Sequence, residues 1–144
     1  MDIEFKIIEF NNEAFNQMLE IRSKVLREPL GLRYTNEQLA AEINFIHIVI
    51  LVKQKIVGGL QLVEEGNNKI KVRQVAIDPS YQSMGLGKEL MLYAEDFARK
   101  KAYTYIYCHA RNTALSFYTK LDYQIKGEEF QEVGIPHHYM FKYL

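Results

Sequence analysis

The sequence predicts a single α/β domain built on a mixed, mostly antiparallel sheet with helices on its faces. Three observations predict it. The hydrophobic period changes from helical in the first third to strand-like between Phe45 and Ile77, then alternates strand, helix, strand, helix, strand to the C-terminus. The strand-like stretch is broken only at Lys53-Gln54-Lys55 and Glu65-Gly66-Asn67-Asn68, connections short enough for an antiparallel meander. A chain of 144 residues, 48% hydrophobic and 25% charged, fits one domain, residues 1–144, and can bury a core without disulfides or a structural metal.

Taken in order, Ile3, Phe5 and Ile7 alternate and lead to Asn11-Asn12, which reads as a strand and a turn. Phe15, Met18, Leu19, Arg22, Val25 and Leu26 fall on helical spacing, and that helix must stop before Pro29 because the residue preceding proline disfavours the α region. Thr35-Asn36-Glu37-Gln38 carries the side chains of a helix start, so a short helix with Leu39, Ala40 and Ile43 follows. Within the third meander strand Ile70 and Val72 share one parity, whereas Val75 and Ile77 share the other. Either one residue is inserted near Arg73-Gln74 as a β-bulge, or the strand is buried on both faces and parity carries no information. Leu86, Leu90, Met91, Ala94, Phe97 and Ala98 then form one stripe of a helix reaching about Lys101, with Lys88, Glu89, Glu95, Arg99 and Lys100 outside it. Tyr103 to Cys108 reads as a strand, Asn112 to Leu121 as a short helix, and Tyr123–Phe130 and His138–Tyr143 as closing strands.

Charge and cysteine usage narrow the function classes. Eighteen Lys+Arg balance 18 Asp+Glu, which removes the long-range positive field that drives non-specific nucleic-acid binding, so an anionic ligand has to be caught locally. The longest nearly apolar stretch, Phe45 to Val52, is far below the roughly 20 residues that span a bilayer. With the lone Cys108 and no signal-peptide succession after Met1, the expectation is a cytoplasmic protein without a membrane partner.

The most informative segment is Val72 to Leu90, where a strand runs into Gln82-Ser83-Met84-Gly85-Leu86-Gly87-Lys88 and directly into the long helix. Main-chain N–H groups without intrahelical partners converge there, at the positive end of a helix dipole, and attract anions. Gly85 and Gly87 keep Cβ atoms away from an approaching phosphate, and Lys88 adds charge at the rim. A dinucleotide fingerprint would need glycine where Leu90 stands, and a P-loop would need a hydroxyl where Glu89 stands.

The segment resembles the acyl-CoA-binding motif of the GCN5-related N-acetyltransferases (GNAT), Gln/Arg-x-x-Gly-x-Gly/Ala after a strand ending hydrophobic-Ala-hydrophobic-x-Pro. The matching residues are Val75-Ala76-Ile77-Asp78-Pro79 and Gln82 to Gly87. Downstream, Asn112-x-x-Ala114-x-x-Phe117-Tyr118 and on to Tyr123 is similar to the family's second motif, with Asp122 where the family usually has glycine. The resemblance covers roughly residues 45–143 and implies central strands that splay from a bulge to admit pantetheine. It implies main-chain contacts from Val75, Ala76 and Ile77, pyrophosphate contacts from Gln82, Ser83, Met84, Gly85, Leu86, Gly87 and Lys88, and a pantetheine contact from Asn112. Tyr118 would protonate the departing thiolate, a role that suits a phenol neutral at pH 7, or else serve as a packed aromatic beside Phe117.

An amine nucleophile must lose a proton before it attacks, so a base should face the thioester. His109, at the end of the strand flanking the expected cleft, is the first candidate, with His137, His138, Glu128, Glu129 and Glu132 as others. Cys108 reads as a buried apolar residue rather than a nucleophile. Residues 134–140 resemble a closing strand of a bacterial subgroup whose Arg-rich loop after the first helix roofs the acceptor site. On that basis Arg27, Arg33, Tyr34 and His137 are the acceptor-binding expectation, against solvated loop charges. The resemblance therefore implies an acetyl-CoA-dependent N-acetyltransferase, without a metal, acting on a small-molecule or protein amine; the alternative is a non-catalytic acyl-CoA-binding module. A homodimer rests on family habit alone.

Overall fold

The computed structural model describes residues 1–144. Its seven strands form one sheet in the order β1-β2-β3-β4-β5-β7-β6. They are β1 (Ile3–Ile8), β2 (Ile46–Val52), β3 (Lys55–Glu65), β4 (Lys69–Ile77), β5 (Tyr105–Arg111), β6 (Gln124–Glu132) and β7 (Ile135–Tyr143). The helices are α1 (Glu13–Leu26), α2 (Asn36–Ala40), α3 (Leu86–Lys100) and α4 (Leu115–Lys120). Every neighbouring pair is antiparallel except β4–β5, which is parallel because the α3 crossover joins them.

The local chemistry that starts and stops these elements is visible. Asn12 caps α1 by accepting from the Phe15 N–H at 2.9 Å, and Thr35 and Gln38 form a reciprocal capping box at α2. The α2 helix is shorter than its sequence pattern predicts: it ends at Ala40, and Ile43 is exposed. The closing strands are longer than predicted, because Val133 (φ 47°) and Gly134 (φ 76°) make a two-residue hairpin turn in which both residues need positive φ. Pro136 is tolerated within β7 because β5 pairs only as far as His137.

The sheet separates two cores. Leu86, Leu90, Met91, Ala94 and Ala98 of α3 pack with Ile70, Val72, Ile106, Cys108, Ala110 and Tyr118 on one face. Met18 and Ile21 of α1 pack with Val49, Leu51 and Ala76 on the other. Gly59 allows that close approach, since a Cβ there would lie 2.7 Å from both Ile48 O and Met18 Sδ. Glu95, predicted to lie outside the α3 stripe, is buried: it accepts from Tyr123 Oη and Lys142 Nζ, each at 2.8 Å. Arg22, on the buried face of α1, meets Glu42 with both carboxylate oxygens 2.7 Å from Nη2. A buried ion pair contributes little against an apolar substitute but punishes loss of one partner.

The parity fault resolves as a bulge. Gln61 pairs with Arg73 and Gly59 with Ala76, so Gln74 and Val75 together oppose Leu60 alone. Gln74 takes φ 55°, a left-handed conformation that costs a non-glycine residue of order 1 kcal/mol. Beyond it Ala76 turns to the α1 core, while Val75 and Ile77 turn to the α3 side.

Removing one partner of the buried pair, Glu42→Ala, is expected to cost about 3–5 kcal/mol in urea denaturation. Arg22→Met with Glu42→Leu should restore most of that loss; a single-mutant cost below about 1 kcal/mol contradicts the assignment.

Candidate functional site

The β4–β5 ladder ends at Val72 and Cys108, although β4 continues to Ile77 and β5 to Arg111. The two strands therefore diverge from the bulge onward and leave a cleft of about 350 Å³ that passes between them. Ala114 and Tyr118 line it on the α4 side, and Leu26, Arg27, Glu132 and His137 on the α1 side. Asp78 N–H reaches Val57 O at 2.7 Å across β3, so by strand alternation the main-chain groups of Val75 and Ile77 point into the gap. Gln82 Nε2 donates to Ile77 O at 3.0 Å. Ala76 is not brought to the gap: its side chain lies in the α1 core and its main chain belongs to the β3 side.

At the mouth of this gap the loop from Gln82 to Lys88 enters α3. Ser83 (φ 66°) and Gly85 (φ 79°) are both left-handed, and Gly85 is the N-cap. The first N–H that reaches back is Glu89 to Gly85 O at 3.1 Å, which leaves the N–H groups of Leu86, Gly87 and Lys88 without helical acceptors. Gln82, Ser83, Met84 and Lys88 are exposed around them. Gly87 lacks a side chain for a packing reason too, since a Cβ would sit 3.3 Å from the Phe117 ring.

Tyr118 is buried with its hydroxyl against the Cys108 thiol, and both line the cleft. Burial, followed by the Cys108 charge and hydrogen bond, raises the Tyr118 pKa well above its usual value, so the phenol is a neutral donor. Burial pushes the Cys108 thiol up to about 12, against the lowering effect of Tyr118 and Lys71. Asp122, in the turn after α4, takes φ 71°, the left-handed conformation for which glycine is the easier residue.

Across the cleft, His109 Nδ1 lies 2.9 Å from Glu132 Oε1, and His137 Nε2 lies 3.7 Å from Glu132 Oε2. Burial raises the Glu132 pKa, but the His109 hydrogen bond and the charges of His109, His137 and Lys71 outweigh it and hold the carboxyl below its usual range. An ionised Glu132 only accepts, so His109 meets it with an Nδ1–H, while His109 Nε2 has no hydrogen-bond partner within the protein. His137 is buried, with Nδ1 donating to Ile135 O at 2.9 Å. The other sequence candidates lie outside this group. His138 Nδ1 is 2.8 Å from Asn112 Oδ1, and Asn112 Nδ2 donates to Glu129 Oε1 at 2.7 Å, so the Asn112 amide is engaged on both sides. Glu128 is exposed on β6.

Of the loop residues, Arg27 lines the cleft, but Arg33 is exposed in a separate recess with Leu19, Ser23 and Glu28. Tyr34 is half-buried between Arg22 and Arg27, whose guanidinium carbons lie 4.5 and 4.6 Å from its ring centre, and its hydroxyl donates to Gln74 Oε1 at 2.5 Å. It thus ties the loop to the bulge. Lys71, Arg73, Gln74 and Arg111 border the same space without having been singled out from the sequence. The sequence marks Arg73-Gln74 only as the place of the parity fault, and Lys69-x-Lys71-x-Arg73 alternates with Ile70 and Val72 as a solvated strand face does. No group of three or more His, Cys, Asp or Glu side chains is arranged to hold a metal ion, and no helix is long and apolar enough to cross a membrane.

A splayed parallel pair with a glycine-capped helix at its mouth defines an acyl-CoA N-acyltransferase fold, and the comparisons with known proteins agree. An acyl-CoA N-acyltransferase from Pseudomonas aeruginosa superposes with a TM-score of 0.82 at 17% identity, covering 98% of this chain and 99% of that one. The PaiA N-acetyltransferase from Thermoplasma acidophilum, solved with coenzyme A, gives 0.76 at 17% identity over the full length of both chains. The family model described as Acetyltransferase (GNAT) domain matches residues 12–144, and the chain belongs to that family. Among curated proteins, the Bacillus subtilis protein named Uncharacterized protein YyaT is 39% identical over 72 residues, a match spanning 50% of this chain and 49% of that protein.

A thiol held near 12 is almost wholly protonated at pH 8, so native Cys108 should react with a disulfide reagent at least about 100-fold more slowly than in urea. Comparable rates contradict the buried, protonated thiol.

Proposed function

We propose that this chain is an acetyl-CoA-dependent N-acetyltransferase in which an amine attacks the thioester directly. The observation that carries the reading is the through-sheet cleft, open to a buried phenol on one face and to a histidine–carboxylate pair on the other. The residues present fit the donor. Free N–H groups at Leu86, Gly87 and Lys88 suit a diphosphate, and the main chain of Val75 and Ile77 suits the amide groups of a pantetheine arm. Asn112 stays a proposed contact that requires it to exchange Glu129 or His138 for the ligand.

Acetyl-CoA supplies the acyl group as a thioester; the chain supplies orientation and the two proton positions. His109 Nε2, its ring oriented by Glu132, takes the proton from the amine as the new C–N bond forms. Tyr118 Oη donates toward the sulfur as the C–S bond breaks, which lowers the energy of charge that develops in a site with little water. Proton gain on one face and loss on the other balance the exchange. A fixed ternary geometry needs no acyl-enzyme, consistent with a Cys108 that is protonated.

The test is thiol release from acetyl-CoA in the presence of amines. Tyr118→Phe should lower kcat about 100-fold while the Kd for CoA stays within a few-fold, and Glu132→Gln should lower kcat/KM about tenfold. CoA binding without turnover of any amine favours the non-catalytic acyl-CoA-binding module; full activity in Tyr118→Phe removes the acid assignment.

A further inference from the structure

On the α1 face the cleft continues into a recess of about 400 Å³ bounded by Arg27, Phe45, Glu65, Lys71, Arg73 and Glu132, with Gln74 and His109 between them. Sheet register explains the grouping. Lys71 and Arg73 sit two apart on β4 and so share one face, and Lys71 pairs across the parallel ladder with Tyr107, next but one to His109. Arg27 and Arg111 close the side shared with the through-sheet cleft.

The cations of this recess are not matched by the protein's own anions. None of Arg27, Lys71, Arg73 and Arg111 has a carboxylate within ion-pair distance, although all four are partly buried. Arg27 and Arg111 both donate to one carbonyl, Leu26 O, at 3.2 and 2.7 Å at the C-terminal end of α1. Arg73 lies over the Phe45 ring at 5.1 Å, and Lys71 within 5.9 Å of the Tyr107 ring centre. The two carboxylates of the recess are already engaged: Glu65 with Tyr107 Oη at 2.7 Å, and Glu132 with His109. Burial is the leading influence on Lys71 and on Arg73 and lowers the pKa of each, against the smaller raising effects of Glu132 and Glu65 on Lys71 and of Glu42 and Glu132 on Arg73.

The recess is thus polarised, with an unmatched positive wall on one side and a histidine–carboxylate pair on the other. Building on the N-acetyltransferase reading, we propose that the acyl acceptor is a small amine carrying a carboxylate. Its amino end faces His109 and Glu132, and its carboxylate rests on Arg73, Lys71 and Arg27, with Arg111 behind. Guanidinium forks match carboxylate geometry, and such charge-assisted bonds fix the amine's direction as well as its affinity. A monoanion suits the site better than a phosphate dianion because Glu65 and Glu132 share the recess. Polyamines and other polycations meet the positive wall and are disfavoured.

The experiment compares kcat/KM for matched amines with acetyl-CoA: 4-aminobutyrate against 1-aminobutane, L-glutamate against its dimethyl ester, and phosphoethanolamine, spermidine and kanamycin as contrasts. The carboxylated member of each pair should be preferred at least tenfold. Arg73→Gln should raise its KM about 10- to 100-fold and remove the preference over 1-aminobutane, while the Kd for CoA changes little. Preference for spermidine, kanamycin or 1-aminobutane overturns the acceptor proposal while leaving the acetyltransferase reading intact, and preference for phosphoethanolamine replaces carboxylate by phosphate. A second measurement is independent of turnover: with CoA bound, glutarate should raise the Tm of the wild type but not of Arg73→Gln. Absence of that shift in the wild type overturns the proposal even where amines are acetylated.

Discussion

The divergence of β4 from β5 follows from one extra residue. Gln74, held left-handed in β4, shifts the strand by one position against β3, so the main chain that would have continued the β4–β5 ladder has no strand to meet. The cost is local: one strained residue and an interrupted ladder of main-chain hydrogen bonds. The rest of the structure holds the distortion in place. Tyr34 bonds the Gln74 side chain and is itself clasped between Arg22 and Arg27, while Arg22 is anchored by Glu42. Helix α1, its following loop and the bulge therefore form one mechanical unit.

That unit explains how charge is distributed in a chain with no net charge. The α3 end offers bare N–H groups and a helix dipole rather than a basic patch, so it favours an anion only at close range. The α1 end gathers guanidinium and ammonium groups around an opening where the nearby carboxylates already have partners. Between the two ends, Tyr118 and Cys108 supply a neutral, water-poor stretch in which a hydrogen bond to developing charge counts for more than it would in solvent.

Much of the architecture was legible in the sequence because it is local. The capping box at Thr35–Gln38, the turn at Glu65–Asn68, the stop before Pro29 and the α3 stripe all depend on residues a few positions apart. Even the bulge left a trace, since an inserted residue must flip hydrophobic parity at Val75. What was not legible is long-range. Glu95 looked solvent-facing until Tyr123 and Lys142 arrived from other elements, and nothing in the alternation of Lys71 and Arg73 with Ile70 and Val72 shows that Arg27, Phe45 and Val133 border the same recess. Arg33 shows the converse: a loop arginine six residues from Arg27 in sequence lines a different recess. Spacing along the chain specifies which groups share a face, not which distant element covers it.

The most direct test of the account is a titration of the ¹⁵N-labelled protein with coenzyme A followed by amide chemical shifts. The account predicts the largest changes at Gly85, Leu86, Gly87 and Lys88, accompanied by Val75 and Ile77 along the splayed edge of β4. Shifts confined to other surfaces, or none at millimolar coenzyme A, contradict it.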